Sequence, residues 1–221
     1  MSSPDPVLAR SPITPLDPVE RLGWQISARR STAELTLSDE TPLAKILVRG
    51  PFAGATREAL GTRFGRAQRG ERAGADVLVV GSGPGEWLVI GPSGTADLLR
   101  EHLQEVTAET DEFTSVLDLT HGRALLRISG RRSSDALRKL CGIDLHDSTT
   151  PDGAALRTSV AGLATDLVRD DGPDGPSYLL HCERSSGQYL FDALLDAGAE
   201  FGIAVTGLEE HRMTEHGARP S

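Results

Sequence analysis

Cysteine is scarce: Cys141 and Cys182 are the only two in 221 residues, too few for a disulfide framework. Cys141 stands among Leu137, Leu140 and Ile143 and reads as a small core thiol. Aromatic residues make up 4% of the chain, so Leu, Val, Ile and Ala must build most of the core. Long apolar runs are missing too. None approaches the roughly 18 residues that a membrane helix needs, and Met1 to Pro18 lacks the basic-then-apolar order of a signal peptide. The expected location is the cytoplasm, with no membrane partner. Clustered basic charge is also lacking. The formal net charge is -9, and an acidic chain with dispersed Arg does not neutralise phosphates, so no nucleic-acid partner is expected. The one local group, Arg63, Arg66, Arg69 and Arg72, reads as a solvated loop.

Catalytic patterns are equally thin. The run Gly81-Ser82-Gly83-Pro84-Gly85 is followed by a strand pattern, so it reads as a hairpin turn and not as a phosphate cradle opening a helix. A Gly-x-Ser-x-Gly nucleophile turn is absent. His181 adjoins Cys182, and neighbouring strand residues point to opposite faces, so the two do not grip one ion. No metal site is expected. Asp118-Leu119-Thr120-His121-Gly122-Arg123 is the most suggestive polar cluster. Asp118 and His121 at this spacing fit a proton-transfer pair. They fit better a strand-to-strand junction, where Asp and Thr bond turn amides and Gly122 permits the bend.

What is present is alternation of strands and helices. Five prolines between Pro4 and Pro18 indicate an extended or disordered arm over residues 1–20. Strand patterns cover Lys45–Arg49, Asp76–Val80, Glu86–Ile90 and Thr114–Leu119, with helices over Ala53–Phe64 and from Ser93 to about Val106. This β-α-β-β-α-β order is that of a ferredoxin-like split βαβ unit. A similar order follows: strand Ala124–Ser129, helix Ser133–Leu140, strands Leu156–Val160, Thr165–Arg169 and Tyr178–Cys182, a helix from Ser185 or Ser186, and a last strand Ile203–Val205. The expected fold is α+β, with two βαββαβ-type halves packed together over residues 21–120 and 121–210. A loose tail over 211–221 follows.

Several of these segments resemble one family. Gly85-Glu86-Trp87-Leu88-Val89-Ile90-Gly91-Pro92 is similar to the tryptophan-bearing hairpin strand of sarcosine oxidase gamma subunits. Val116–Thr120 followed by Arg123–Gly130, the stretch Ala136–His146 and the helix Ser185–Leu195 resemble the same family in the same order. More loosely, the set resembles the folate-binding aminomethyltransferase superfamily. The resemblance implies a non-catalytic gamma subunit of a heterotetramer that oxidises sarcosine to glycine and hydrogen peroxide. The one-carbon unit passes to tetrahydrofolate or leaves as formaldehyde. It further implies alpha, beta and delta partner chains, chiefly alpha. FAD, FMN, NAD, zinc and tetrahydrofolate would lie on those chains, and no cofactor or catalytic residue on this one. A stand-alone folate-binding relative of aminomethyltransferases is the alternative. Trp87 and Tyr189 are candidate interface anchors, although Trp87, on a central strand, fits the core better. Asp118, His121 and Arg123 complete the candidate interface or pocket residues.

Overall fold

In Arg123-Ala124-Leu125-Leu126-Arg127-Ile128-Ser129 the apolar residues fall on both faces of a period-two chain. Such a strand is buried on both sides, and the whole fold is arranged around it. The computed structural model describes residues 7–173 and 175–208. In chain order come β1 (Ala9–Arg10), β2 (Pro18–Arg21), β3 (Trp24–Ser27), β4 (Thr36–Asp39), β5 (Ala44–Arg49) and α1 (Ala55–Leu60). Next come β6 (Ala67–Arg72), β7 (Ala75–Gly83), β8 (Glu86–Gly91), α2 (Ala96–Ala108), β9 (Ser115–Asp118) and β10 (Arg123–Ser129). The last elements are α3 (Ser133–Arg138), β11 (Ala155–Val160), β12 (Leu163–Arg169), β13 (Ser177–Glu183), α4 (Gly187–Gly198) and β14 (Ala204–Thr206). The architecture is α+β.

One sheet runs β6-β7-β8-β5-β9 and is antiparallel throughout. The other runs β11-β12-β13-β10-β4-β14. Its face toward α3 and α4 carries Leu126, Ile128, Tyr178 and Leu180, packed on Leu190 and Leu194 of α4. The far face of the first sheet carries Ile46, Val48, Val79 and Val89, packed on Leu99 and Leu103 of α2. Between the sheets lie Leu78, Val80, Leu88, Ile90, Leu125, Val168 and Leu179. Helices, sheet, sheet and helices therefore stack in that order. Each fully buried Leu or Val in these layers contributes about 1.5–3 kcal/mol.

The hairpin between β7 and β8 closes where Gly85 takes φ 70°. A Cβ there would lie 2.3 Å from the Gly50 carbonyl oxygen, so the close approach of backbone to backbone requires glycine.

Several expectations need correction. The described part of the N-terminal segment is no free arm. β1 and β2 flank β3 in a three-stranded sheet, and Ile13 enters the core at 2% exposure. Pro18 fits here because it is the first residue of edge strand β2, and Pro12 and Pro15 lie between the strands. The boundary at residue 120 does not separate two self-contained halves. β4 precedes the first sheet in sequence yet lies between β10 and β14 of the second, antiparallel to one and parallel to the other. The arginine group is not all loop, since Arg69 and Arg72 lie on edge strand β6, whose pairing with β7 is backbone-driven. Helix α2 begins after Thr95 and not Ser93; the Thr95 hydroxyl donates to the Pro92 carbonyl at 2.8 Å. The expected 211–221 tail lies outside the described residues.

Candidate functional site

The layer between the sheets is apolar at its centre and charged at both ends. Because β10 alternates, Leu125 faces the other sheet together with Arg123 and Arg127. At one end Arg127, 7% exposed, bonds Glu40 through Nε at 2.8 Å and Asp170 through Nη2 at 2.8 Å. Its Nη1 donates to Ser177 Oγ at 2.8 Å. Burial opposes the guanidinium charge, but the two carboxylates outweigh it and raise its pKa. Arg69 from β6 adds an ion pair to Asp170 at 2.6 Å.

The other end opens into a cavity of about 240 Å³, lined from both sheets by residues including Arg49, Glu86, Arg123, Arg157, Asp166 and His181. A chain of ion pairs crosses it. Arg49 bonds Glu86 at 3.0 Å, and Arg157 bonds Glu86 at 3.1 Å and Asp166 at 2.7 Å. Arg123 pairs with Glu183 at 2.5 Å. The chain ends at His181, whose Nδ1 lies 3.2 Å from Asp166 Oδ2. Burial pushes the His181 pKa down, with Asp166 offsetting part of that. Burial opposes the Asp166 charge, but His181 and Arg157 prevail and lower its pKa. A neutral imidazole donating Nδ1–H to Asp166 satisfies both shifts. It leaves His181 Nε2 buried without a hydrogen-bond partner.

Of the candidate interface or pocket residues Trp87, Asp118, His121, Arg123 and Tyr189, Arg123 alone is among the residues that line this cavity. Asp118 accepts from the Thr120 amide at 2.8 Å, and the Gly122 and Arg123 amides donate to the Leu119 carbonyl. That is a turn between β9 and β10. His121 stacks on Trp24 with ring centroids 4.7 Å apart. Asp118 and His121 thus have separate partners. Trp87 is 2% exposed in the core between α2 and its sheet, with its indole N–H on the Thr62 carbonyl at 2.8 Å. Tyr189 is 58% exposed on α4 and donates to the Ala161 carbonyl at 3.2 Å. His181 faces the other sheet while Cys182 faces α4, as strand alternation requires. The Asp166–His181 pair carries no local signal in the sequence, because the two lie 15 residues apart and meet only through strand register.

The residues here do not fit a folate-sized ligand. The cavity is smaller than the about 300–1,000 Å³ of ordinary ligand sites. Arg49, Arg123 and Arg157 are each already paired with a carboxylate of the chain, so none stands ready for a ligand carboxylate. The arrangement links the two sheets electrostatically through the Arg157–Glu86 pair.

The chain is similar to several known proteins. Residues 24–215 match the GCVT N-terminal domain family. The gamma subunit of sarcosine oxidase from Corynebacterium sp. (strain P-1) is 32% identical over 83% of this chain and 90% of its own length. The gamma subunit from Arthrobacter sp. is 34% identical over 69% of this chain and 75% of its own. An aminomethyltransferase from Geobacillus thermodenitrificans is 26% identical, with 62% of its length covered. Among solved structures, a chain of heterotetrameric sarcosine oxidase from Corynebacterium sp. U-96 superposes with a TM-score of 0.65 at 26% identity, over 80% of this chain and 90% of that one. The Bartonella henselae aminomethyltransferase T shares the fold, with a TM-score of 0.67 at 16% identity, over 86% of this chain and 55% of that one. The chain belongs to the GCVT N-terminal domain family and, within it, to the sarcosine oxidase gamma subunits.

Proposed function

We propose that the chain serves as the gamma subunit of a heterotetrameric sarcosine oxidase, contributing shape and contact area while redox chemistry resides on companion chains. The observation that carries this reading is the likeness to two gamma subunits along most of their length. The interior supports it. Most charged groups of the inter-sheet cavity are engaged in ion pairs, and one of these, Arg157–Glu86 at 3.1 Å, ties the two sheets to each other. In this reading the alpha, beta and delta chains carry FAD, FMN, NAD, zinc and tetrahydrofolate, and alpha is the main neighbour. The complex oxidises sarcosine to glycine with release of hydrogen peroxide, and the one-carbon unit passes to tetrahydrofolate or leaves as formaldehyde. Such an assembly would work in the cytoplasm.

The purified chain, assayed alone, should produce no peroxide from sarcosine and carry no flavin. The second reading, a folate-binding aminomethyltransferase relative, is favoured by the shared fold with aminomethyltransferase T. Calorimetry of the isolated chain with tetrahydrofolate separates the two. No heat of binding at millimolar ligand is expected, and micromolar binding would establish the second reading instead.

A further inference from the structure

The two edges of the five-stranded sheet are built differently. Edge strand β6 carries exposed Arg69 and Glu71, and charges on an edge discourage further pairing. Among the described residues, edge strand β9 pairs with β5 on one side only, and it presents Leu117 at 43% exposure. Phe113, just before the strand, is 95% exposed, and Phe52, just after β5, is 57% exposed. The register Arg49↔Ser115 sets these two aromatics at the same end of the sheet. Their neighbourhood has one sign of charge. Between Arg100 and Arg123 the chain has six acidic residues and no Lys or Arg. Asp111 and Asp118, both exposed, bracket β9.

We infer that β9 is a docking edge for an extended segment of a companion chain, one that alternates apolar with basic side chains. The inference rests on the subunit reading and names the surface that reading needs. Such a segment would continue the sheet through backbone hydrogen bonds, set apolar side chains on Leu117, Phe113 and Phe52, and place Lys or Arg beside the acids. Charge selects against a second copy of this chain, because an antiparallel β9–β9 pairing brings like-charged ends together.

The test uses the full chain co-expressed with a large flavin-containing companion chain of a sarcosine oxidase complex. Two measurements are made: the amount co-purified, and amide hydrogen exchange at residues 113–118. The wild type should co-purify, with amides of 115–118 slowed in the complex. The double variant Phe113→Lys, Leu117→Lys should associate about tenfold or more weakly while melting at the wild-type temperature, since both side chains are exposed. Should that variant melt lower, Glu105→Lys with Glu109→Lys, also exposed positions, replaces it and should weaken association severalfold. Unchanged exchange at 115–118 in a complex that forms, or full-strength assembly of the folded variant, would overturn the docking edge and leave the subunit reading standing. Failure of the wild type to assemble would remove both.

Discussion

His181 Nδ1 sits 3.2 Å from Asp166 Oδ2, in the layer where the two sheets meet. Burial lowers the His181 pKa below its ordinary value of 6.5. The folded state therefore resists protonation that the unfolded chain accepts. Stability is fully present above about pH 6.5 and is lost as pH falls toward the lowered folded value. His181→Gln should flatten that loss between pH 6.5 and 5. Urea unfolding of both proteins across this range checks it, and a parallel slope in the variant would assign the effect elsewhere.

Lys45 gives a second titration with a different window. It is fully buried on β5, and its Nζ donates to the Thr41 carbonyl at 2.6 Å and the Leu43 carbonyl at 2.8 Å. Burial lowers its pKa to about 7, with Asp39 and Asp118 opposing. Between pH 7 and 10 the unfolded chain holds a proton that the folded chain does not. Stability should rise with pH there, by up to about 1.4 kcal/mol per unit from this group. Lys45→Met should lack the rise, as measured by unfolding at pH 7 and pH 9.

Arg127 holds two buried acids at once, Glu40 at 2% and Asp170 at 4% exposure. Arg127→Met removes this cation from Glu40 and leaves Asp170 with Arg69 alone. The expected loss is about 3–5 kcal/mol at pH 7. A loss of unfolding free energy at pH 7 of under about 1 kcal/mol would contradict this account.

The two aromatic candidates should behave oppositely. Trp87 is core, and Trp87→Ala should cost about 3–5 kcal/mol by opening a cavity and stranding the Thr62 carbonyl. Tyr189 is exposed, and Tyr189→Ala should change stability by less than about 1 kcal/mol. Any loss of assembly in the latter variant is then a surface effect, read by comparing melting temperature with co-purification.

The legible parts of the fold were those set by local period. β10 showed two apolar faces, the β7–β8 turn showed its glycines, and α4 showed its helical stripe at Leu190, Leu194 and Ala197. What escaped depends on distant partners. β4 is four residues long, and only its pairing with β10, some ninety residues later, makes it a strand of the second sheet. β6 looked like a loop because its side chains are charged, while its backbone pairing is not visible in composition. The site was less legible still. Arg123 was found through the polar cluster around it, but Asp118 and His121 belong to a turn and a stacking contact. The Arg157–Asp166–His181 chain exists only because register places Asp166 beside both.

Sedimentation of the co-expressed proteins, followed by flavin absorbance, weighs most directly whether this chain supplies contact and not chemistry. The chain should run as a small colourless species by itself and move to a large flavin-bearing species when its companion chains are present. A small species that carries flavin unaided, or that stays separate from the flavin-bearing chains under all conditions, would contradict it.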